Sequence, residues 1–403
     1  MRASFAASIL CASCAFIPAV QAEDPFTLTA SGGPFSASAS GSDTVDLISN
    51  LIESEAEFEP LANNAFGASL RYGEESNAIL FTRNAGGTSA TLTIPSTGFT
   101  RTFNAANEDE LEEQIEDFLK EDGADAYADF LAEMARRTSL GVNDGNPLAT
   151  TAMLADLGFY RFGYRVRIPG DEPIRLAGGW DLRLLGGVSE TDAFDGWFAG
   201  VGLGKNWTLG DRVGITWANH FRYRDVEGAS VYQVGSTIGV PIALITSRDD
   251  AGLSWHVTPA FVGGFGGSWD LAAGGFLAGG QITSSLALRA GGFTFVLANQ
   301  FGFYEGLPIE ISDFRFETDT SQVILKNGVQ LVRDLGNDAF IDAGVVYTNL
   351  LEDAFIEDYI TPFVGIGFRL GGPILRLGYH ADISLDDDDW TSHSGDISLL
   401  FSF

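Results

Sequence analysis

The chain has 403 residues and a formal net charge of −31, from 54 Asp and Glu against 23 Lys and Arg. Such acidity excludes a nucleic-acid-binding protein, because that function needs a cationic surface. Aromatic residues make up 12% of the chain and hydrophobic residues 45%, which is more than an acidic disordered chain contains. The composition therefore predicts a folded protein, either one large domain with a smaller module or two to three ordinary domains.

Residues 1–22 have the pattern of a secretory signal peptide. Arg2 provides the positive start, small or apolar residues follow it, and the tripeptide ending at Ala22 resembles a signal-peptidase site. Both cysteines lie in this segment, so the mature chain needs no disulfides and offers no thiol chemistry. A lipoprotein anchored at Cys14 is disfavoured because Cys11 stands where a large aliphatic residue is expected. We therefore predict an exported protein.

After the signal, no stretch reaches the ~18 to 20 uninterrupted apolar residues that a membrane-spanning helix needs. An exported chain without such a helix is either a soluble periplasmic or extracellular protein or a β-barrel. A closed barrel is the other membrane-spanning structure in which every backbone group is paired.

Residues 23–150 predict a small α+β module followed by a linker. After a Ser/Gly-rich start, an amphipathic helix is predicted near residues 45–55 and strands between residues 65 and 104. Asn107 caps a predicted acidic helix, and a second helix follows Gly123. The linker is predicted at residues 143–147, which are rich in Asn, Gly and Pro.

Residues 151–403 repeat a different pattern, in which segments of about ten to fifteen residues alternate between apolar and polar side chains. In residues 373–385, for example, Leu375, Leu377 and Tyr379 share one face, whereas Arg376 lies on the other. Such segments occupy residues 159–168, 174–184, 196–208, 212–224, 229–242, 253–263, 274–290, 293–303, 321–333, 338–348, 359–370, 373–385 and 395–403.

A soluble β-sandwich also alternates, but its outward face carries charge. Here the polar face is rich in Gly and small residues, as a barrel lumen allows, and Trp and Tyr lie on the apolar face, where membrane-interface belts need them. We therefore predict a mainly β fold, an antiparallel transmembrane β-barrel preceded by the α+β module. Bacterial barrels have an even number of strands, so at least one of the thirteen predicted strand assignments must be wrong. Twelve strands are predicted, with fourteen as the alternative: either one pair is a single long strand, or residues 263–290 contain two.

The last segment carries Ile397, Leu399, Phe401 and Phe403 at a period of two residues. This pattern resembles the C-terminal signature of bacterial outer-membrane proteins, in which the final aromatic residue is part of the signal read by the barrel-assembly machinery. The resemblance covers roughly residues 155–403. It implies a protein of the cell outer membrane, in contact with membrane lipid and lipopolysaccharide, with Phe403 on the periplasmic side.

A C-terminal barrel that follows a helix and an exported segment also resembles the translocator unit of autotransporters, in architecture rather than in motif. Two functions stay open at this point. The first is a passive channel or structural protein with a periplasmic or pore-occluding N-terminal module. The second is an autotransporter-like barrel that exports or displays residues 23–140.

By the parity of the strands, many basic side chains are predicted to face the lumen: Arg161, Arg165, Arg167, Arg175, Arg183, His220, Arg222, Arg224, Lys326, Arg369 and Arg376. Their functional interpretation is an anion-favouring lumen that passes small anionic solutes. The alternative is a structural network of ion pairs within the wall or with a plug, for which the acidic helix at residues 108–121 is a candidate.

Catalysis and cofactors are not predicted. His380, Asp382 and Ser384 share a face and are the residue types of a hydrolase triad. However, same-face neighbours on a strand stand roughly 6.6 Å apart, too far for direct hydrogen bonds. Asp386–Asp389 lack the spacing and the turn glycine of a calcium loop, so they predict a solvated acidic loop rather than a metal site.

Overall fold

The computed structural model describes residues 24–402 except for 43, 63, 121, 142–148, 163–178, 192–194, 211, 227, 247–251, 269, 272, 308, 312–313, 317–320, 337, 371–372 and 386–389. The signal peptide, Arg165, Arg167, Arg175, Phe403 and the acidic run at 386–389 therefore lie outside the described residues. In the part of the chain that is described, no helix combines the length and the apolar character needed to cross a membrane.

The N-terminal module consists of a six-stranded antiparallel sheet and four helices within the described residues. The strands, in the spatial order β2-β1-β3-β4-β5-β6, are β1 (Phe26–Gly32), β2 (Phe35–Gly41), β3 (Phe66–Tyr72), β4 (Glu75–Arg83), β5 (Ser89–Ile94) and β6 (Phe99–Asn104). The helices are α1 (Thr44–Glu53), α2 (Glu55–Ala62), α3 (Glu108–Lys120) and α4 (Asp122–Arg137). The predicted α+β module is confirmed.

The Ser/Gly-rich start of the module forms a hairpin, which the sequence interpretation missed. Strands β1 and β2 turn at Gly33, whose φ of 58° favours glycine. Phe26 and Ala30 point into the apolar core, while Thr27 and Thr29 between them point away from it. The sequence indicated this strand by a period of two among small residues, since Ala37, Ala39 and Gly41 are the buried residues of β2.

The helices of the module cover one face of its sheet. Helices α1 and α2 pack on β1 and β2, and α3 packs on the opposite edge at β6. Leu111 and Phe118 of α3 join Phe103 of the sheet in an apolar cluster. The other face of the sheet is exposed and carries hydroxyl side chains, as in the Thr91–Thr102 hydrogen bond of 3.1 Å.

The second unit is a closed antiparallel β-barrel. Its strands are β7 (Gly179–Glu190), β8 (Asp195–Thr208), β9 (Gly214–Val226), β10 (Ala229–Gly239), β11 (Ile242–Thr246), β12 (Leu253–Ser268), β13 (Ala273–Ala290), β14 (Phe293–Leu307), β17 (Ser321–Gly336), β18 (Ala339–Leu350), β19 (Asp358–Arg369), β20 (Ile374–Ser384) and β21 (Thr391–Ser402). A separate hairpin, β15 (Ile309–Ile311) with β16 (Phe314–Phe316), lies in the link after β14.

The barrel has twelve strands, as predicted. Strands β10 and β11 both pair with β12 and form one path that is interrupted at Pro241, a residue without a backbone donor. The sheet closes because β21 pairs with β7 from Thr391↔Glu190 to Ser402↔Gly179. Closure leaves no unpaired edge, which a barrel in lipid requires.

The predicted strand at residues 159–168 is wrong in its described part. Residues up to Phe162 belong to a helix, α5 (Thr150–Phe162), so Arg161 is a helical residue. Only a few residues of the segment alternate, and so short a run does not distinguish a strand from a buried helix. Helix α5 is buried around most of its circumference, with Met153, Leu154 and Phe159 at most 1% exposed.

The barrel strands carry apolar residues outside and small or polar residues inside. In β14, Phe295, Phe301 and Phe303 are 42–47% exposed, whereas Ala298 and Gln300 are buried. A soluble sandwich has the opposite distribution. The outer surface is therefore suited to lipid.

Closure at the β7–β21 seam can be tested with a disulfide. Leu184 and Ile397 are register partners, and opposite residues of antiparallel strands have Cα atoms about 4.5 to 5.5 Å apart, a separation that suits a disulfide. We expect Leu184→Cys with Ile397→Cys to cross-link in the assembled protein, seen as a mobility difference between reduced and unreduced chains after boiling.

The matched control is Leu184→Cys with Ile366→Cys. Ile366 lies two strands beyond Ile397 at the same level, through Leu377, or about 14 Å from Leu184 at normal strand spacing. This pair should not cross-link. Equal cross-linking of both pairs, or of neither, would contradict the closed sheet.

Candidate functional site in the barrel lumen

Helix α5 lies inside the barrel. Its side chains contact lumen-facing residues of strands from different parts of the wall. Leu154 packs on Gly235 of β10 and Gly264 of β12, where a Cβ atom would come within 2.6 Å and 3.0 Å of it. Gly158 faces Gln281 of β13, and a Cβ at this position would overlap that amide. The missing side chains on both surfaces therefore allow the helix to fit.

The two ends of the barrel differ in the length of their links. One end, called here the long-loop end, carries the two longest links, at residues 308–320 and 351–357, together with shorter ones at 191–194, 227–228, 269–272 and 385–390. The other, the short-turn end, carries links of two to six residues, at 209–213, 247–252, 291–292, 337–338 and 370–373. Strand β7 begins at the short-turn end, because its first residue, Gly179, pairs with Ser402 at the end of β21.

An ion pair joins the middle of α5 to the wall. Lys326 Nζ of β17 lies 2.5 Å from Asp156 Oδ1 and also donates to Thr348 Oγ1 at 3.2 Å and Tyr359 Oη at 3.3 Å. Lys326 is 1% exposed. A buried ammonium is tolerated when it is paired and its remaining protons are bonded. This arrangement fixes the rotation and the height of the helix.

Polar contacts at each end set the direction of α5. Thr150 accepts a hydrogen bond from Gln233 Nε2 at 3.3 Å, near the long-loop end. At the short-turn end, Arg161 Nη1 lies 2.6 Å from Asp181 Oδ2, and its Nε donates to Thr216 at 2.9 Å. Arg161 also donates to Asn206 Oδ1 at 3.2 Å. The helix therefore runs along the lumen from the long-loop end to the short-turn end.

A second ionic cluster lies on the wall between β18 and β21. Arg376 donates to Asp342 at 2.9 and 3.0 Å and to Asp396 at 3.2 Å. Gln330 Nε2 donates to Asp342 at 3.1 Å, and Arg183 lies 3.7 Å from Asp396. The Arg376–Asp342 contact crosses over β19, where Gly365 leaves room for both side chains.

The structure places the described members of the predicted basic set on the lumen side. Lys326, Arg376, Arg183 and Arg161 face carboxylates there, and Arg369 lies 3.6 Å from Asp334. The remaining members are packed differently. His220 lies over Gly200 and Gly202, Arg222 lies 5.1 Å from the centre of the Phe198 ring, and Arg224 is 2% exposed.

Sequence reasoning missed the carboxylates that face these cations. Asp342 and Asp396 have the same parity as the lumen-facing residues of their strands, so opposite charge on neighbouring inward positions could have indicated them. Asp156 had no such signal, because its place on a lumen helix was not predicted.

The three residues considered for catalysis have separate partners. His380 Nε2 lies 2.5 Å from Ser394 Oγ on the neighbouring strand, and Asp382 accepts a hydrogen bond from Thr361 at 2.6 Å. Ser384 lies at the end of β20, where its amide donates to Trp390. Across the described residues, no group of three or more His, Cys, Asp or Glu side chains is placed to hold a metal ion.

The N-terminal module packs on the long-loop end. Its core residues Phe26 and Tyr72 share one apolar cluster with Val226 and Ala229, at the β9–β10 link, and with Leu271, at the β12–β13 link. The β10 side of this contact is fixed by a 2.6 Å hydrogen bond from the Ser230 amide to Asp270. The barrel rim thus completes the core of the module.

A polar contact anchors the chain after α4. Ser139 donates to Glu74 Oε1 through its hydroxyl at 2.8 Å and through its amide at 3.3 Å. Desolvation nevertheless raises the pKa of the Glu74 carboxyl above its ordinary value. The contact holds the start of the link to α5 against the β3–β4 turn of the module.

No protein-family model and no curated protein matches the sequence. The chain has the fold of bacterial outer-membrane β-barrels. Solved structures of similar fold include the β domain of the Bordetella autotransporter BrkA, at 16% identity, covering 56% of this chain and 100% of that one, with a TM-score of 0.40. The translocator domain of the autotransporter NalP from Neisseria meningitidis is 13% identical, with 63% and 97% coverage and a TM-score of 0.44.

An outer-membrane channel from Pseudomonas putida F1 is also similar, at 9% identity, with 59% coverage of this chain, 100% of that chain and a TM-score of 0.42. These barrels comprise translocators and channels, and the likeness is one of fold.

The Lys326–Asp156 pair provides a test of how the helix is held. We expect Lys326→Met to lower the free energy of unfolding by about 1 to 3 kcal/mol, because Asp156, whose side chain is 32% exposed, loses its cation inside the lumen. The measurement is the denaturant midpoint of the gel-mobility shift between folded and unfolded chains. Lys326→Met with Asp156→Asn should recover much of the loss.

The control is Arg333→Met, since Arg333 lies on the outer face over the Phe293 ring at 5.3 Å. It should change stability by less than about 1 kcal/mol. A double variant that is as unstable as the sum of its two single variants would contradict the role of the pair.

Proposed function

We propose that this protein is an autotransporter-like outer-membrane barrel that displays the module of residues 23–140 at the cell surface, with α5 closing the lumen. One observation carries the proposal: α5 runs through the barrel and joins a module at the long-loop end to a first strand that begins at the short-turn end. Because the module precedes the barrel in sequence and lies at the far end of its lumen, the chain passes through the barrel.

The orientation follows from the links. Outer-membrane barrels have short periplasmic turns and longer extracellular loops. The long-loop end is therefore assigned to the outside and the module to the cell surface. The exposed Ser/Thr face of its sheet and the acidic helix α3 suit this aqueous position.

A passive, anion-favouring channel is less well supported. The wall cations Lys326, Arg376 and Arg183 face carboxylates, as does Arg161 of the helix. Together with the apolar contacts of Phe159 and Leu154, they act as a structural network around α5 rather than as a free anion path. An enzymatic role is not proposed, because the candidate triad residues have separate partners.

Display of the module can be tested by proteolysis of intact cells. A recognition sequence for a site-specific protease is inserted between Thr97 and Gly98, in the turn joining β5 to β6, where both residues are exposed. We expect cleavage by protease added outside, because the proposal puts this turn at the surface.

The control carries the same insertion between Gly291 and Gly292, at the short-turn end. It should be cleaved only after the outer membrane is opened. The reverse result, with the module spared and the 291–292 link cut, would support a periplasmic module and refute the display hypothesis.

Conductance separates the two functions. In planar bilayers the wild-type protein should show little steady conductance, because α5 fills the lumen. A variant lacking residues 24–162 should conduct at a level typical of an open barrel if it assembles, which its mobility before boiling verifies. A large, steady, anion-selective conductance of the wild type would instead favour the channel.

A further inference from the structure

A lysine surrounded by tryptophans lies on the outer, lipid-facing surface of the barrel. Lys205 of β8 points outward, in line with the exposed residues Leu203 and Trp207. Its Nζ lies 4.5 Å from the centre of the Trp180 ring and 5.2 Å from that of Trp207.

The strand register brings a third indole to this cluster. Trp180 of β7 and Trp217 of β9 are the direct register partners of Lys205 on its two sides. Two of the seven tryptophans of the chain therefore lie within 5.2 Å of the ammonium group, and a third, Trp217, is the neighbour of Lys205 on the adjacent strand. The group is defined here as the Lys205 cluster: Trp180, Lys205, Trp207 and Trp217.

The cluster lies close to the end of its strand, the part of a membrane barrel where interfacial residues concentrate. Lys205 is three residues before the end of β8 at Thr208, at the short-turn end, a distance of at most about 10 Å along the strand. Lysine extends its ammonium toward the interface while its methylene groups stay among apolar neighbours. Tryptophan concentrates at the same interface, because the ring is apolar and the indole N–H is a donor.

The charge of Lys205 is not balanced by an acidic side chain in the way that the lumen cations are. Within the described residues, its ammonium has indole neighbours and forms no ion pair, whereas Arg161, on the other side of the same wall, faces Asp181. A cation at the edge of the hydrocarbon region is costly unless an anion or water compensates it. The anion available on this surface is the phosphate of a lipid.

We propose that the Lys205 cluster binds the phosphate of a glycerophospholipid in the leaflet at the short-turn end. The ammonium contributes the charge and up to three donors, and the indoles hold it in place and contribute N–H donors of their own. A net anionic headgroup such as phosphatidylglycerol binds better than phosphatidylethanolamine, whose own ammonium repels Lys205. The choice of a glycerophospholipid over lipopolysaccharide rests on the orientation given under the proposed function, because the periplasmic leaflet holds the glycerophospholipids.

The test is native mass spectrometry of the full mature protein in detergent, titrated with phosphatidylglycerol, phosphatidylethanolamine or lipid A. We expect the wild type to retain phosphatidylglycerol best, and Lys205→Gln to weaken that retention about fivefold, which corresponds to about 1 kcal/mol, the net contribution of one hydrogen bond to the phosphate. Trp207→Leu, which keeps the cation, should weaken it by a smaller factor. Heat-modifiable gel mobility verifies that each variant is folded.

The matched control is Arg333→Gln. Arg333 is also a basic residue on the outer face at the short-turn end, but it is exposed and lies over a single phenylalanine ring. Arg333→Gln should weaken the retention of phosphatidylglycerol by less than about twofold. If Lys205→Gln and Arg333→Gln behave alike, or if lipid A is retained better than phosphatidylglycerol, the proposal is overturned. Binding in detergent does not depend on orientation, so failure of the display experiment would leave this measurement interpretable.

Discussion

Closure of the sheet between β7 and β21 is the constraint on which the rest of the structure depends. Inside a bilayer, an unpaired strand edge has no water to satisfy it, so the twelve strands must form a complete ring. The ring in turn creates an interior of fixed width. A helix about 10 Å across occupies that interior, and the wall makes room with Gly235 and Gly264. The membrane thus determines the barrel, and the barrel determines what its lumen contains.

A helix in the lumen changes what the charged side chains of the wall are bonded to. In an open, water-filled pore, cations such as Lys326 would be hydrated and would attract anions. Against α5, Lys326 is 1% exposed and its ammonium is bonded to Asp156, Thr348 and Tyr359. In this position the ammonium is therefore bonded to α5 and to the wall rather than to solvent. Arg376 likewise lies between Asp342 and Asp396 of the wall.

Much of the fold could be predicted from the sequence, because apolar and polar residues alternate along each barrel strand as its side chains point alternately outward and into the lumen. Strand β14, with Phe301 outside and Gln300 inside, shows how direct this relation is. The candidate site in the lumen was harder to predict from the sequence. Helix α5 is buried on nearly all sides, so it lacks the polar stripe by which an amphipathic helix is recognised. In addition, the residues near Phe159 alternate between apolar and polar side chains, as those of a strand do. Asp156, the partner of Lys326, was hidden by the same ambiguity.

The contact between the module and the barrel could not be predicted from the hydrophobic periodicity of either unit. Val226 ends β9, Ala229 begins β10 and Leu271 lies in the link between β12 and β13. The side chains of these three barrel residues complete the core around Phe26 and Tyr72 of the module. Burying apolar surface from both units makes the docked position favourable, so the module is held at the rim rather than tethered loosely. Helix α5 begins at the same end of the barrel, where Thr150 accepts a hydrogen bond from Gln233. The module is therefore a packed part of the long-loop end of the barrel.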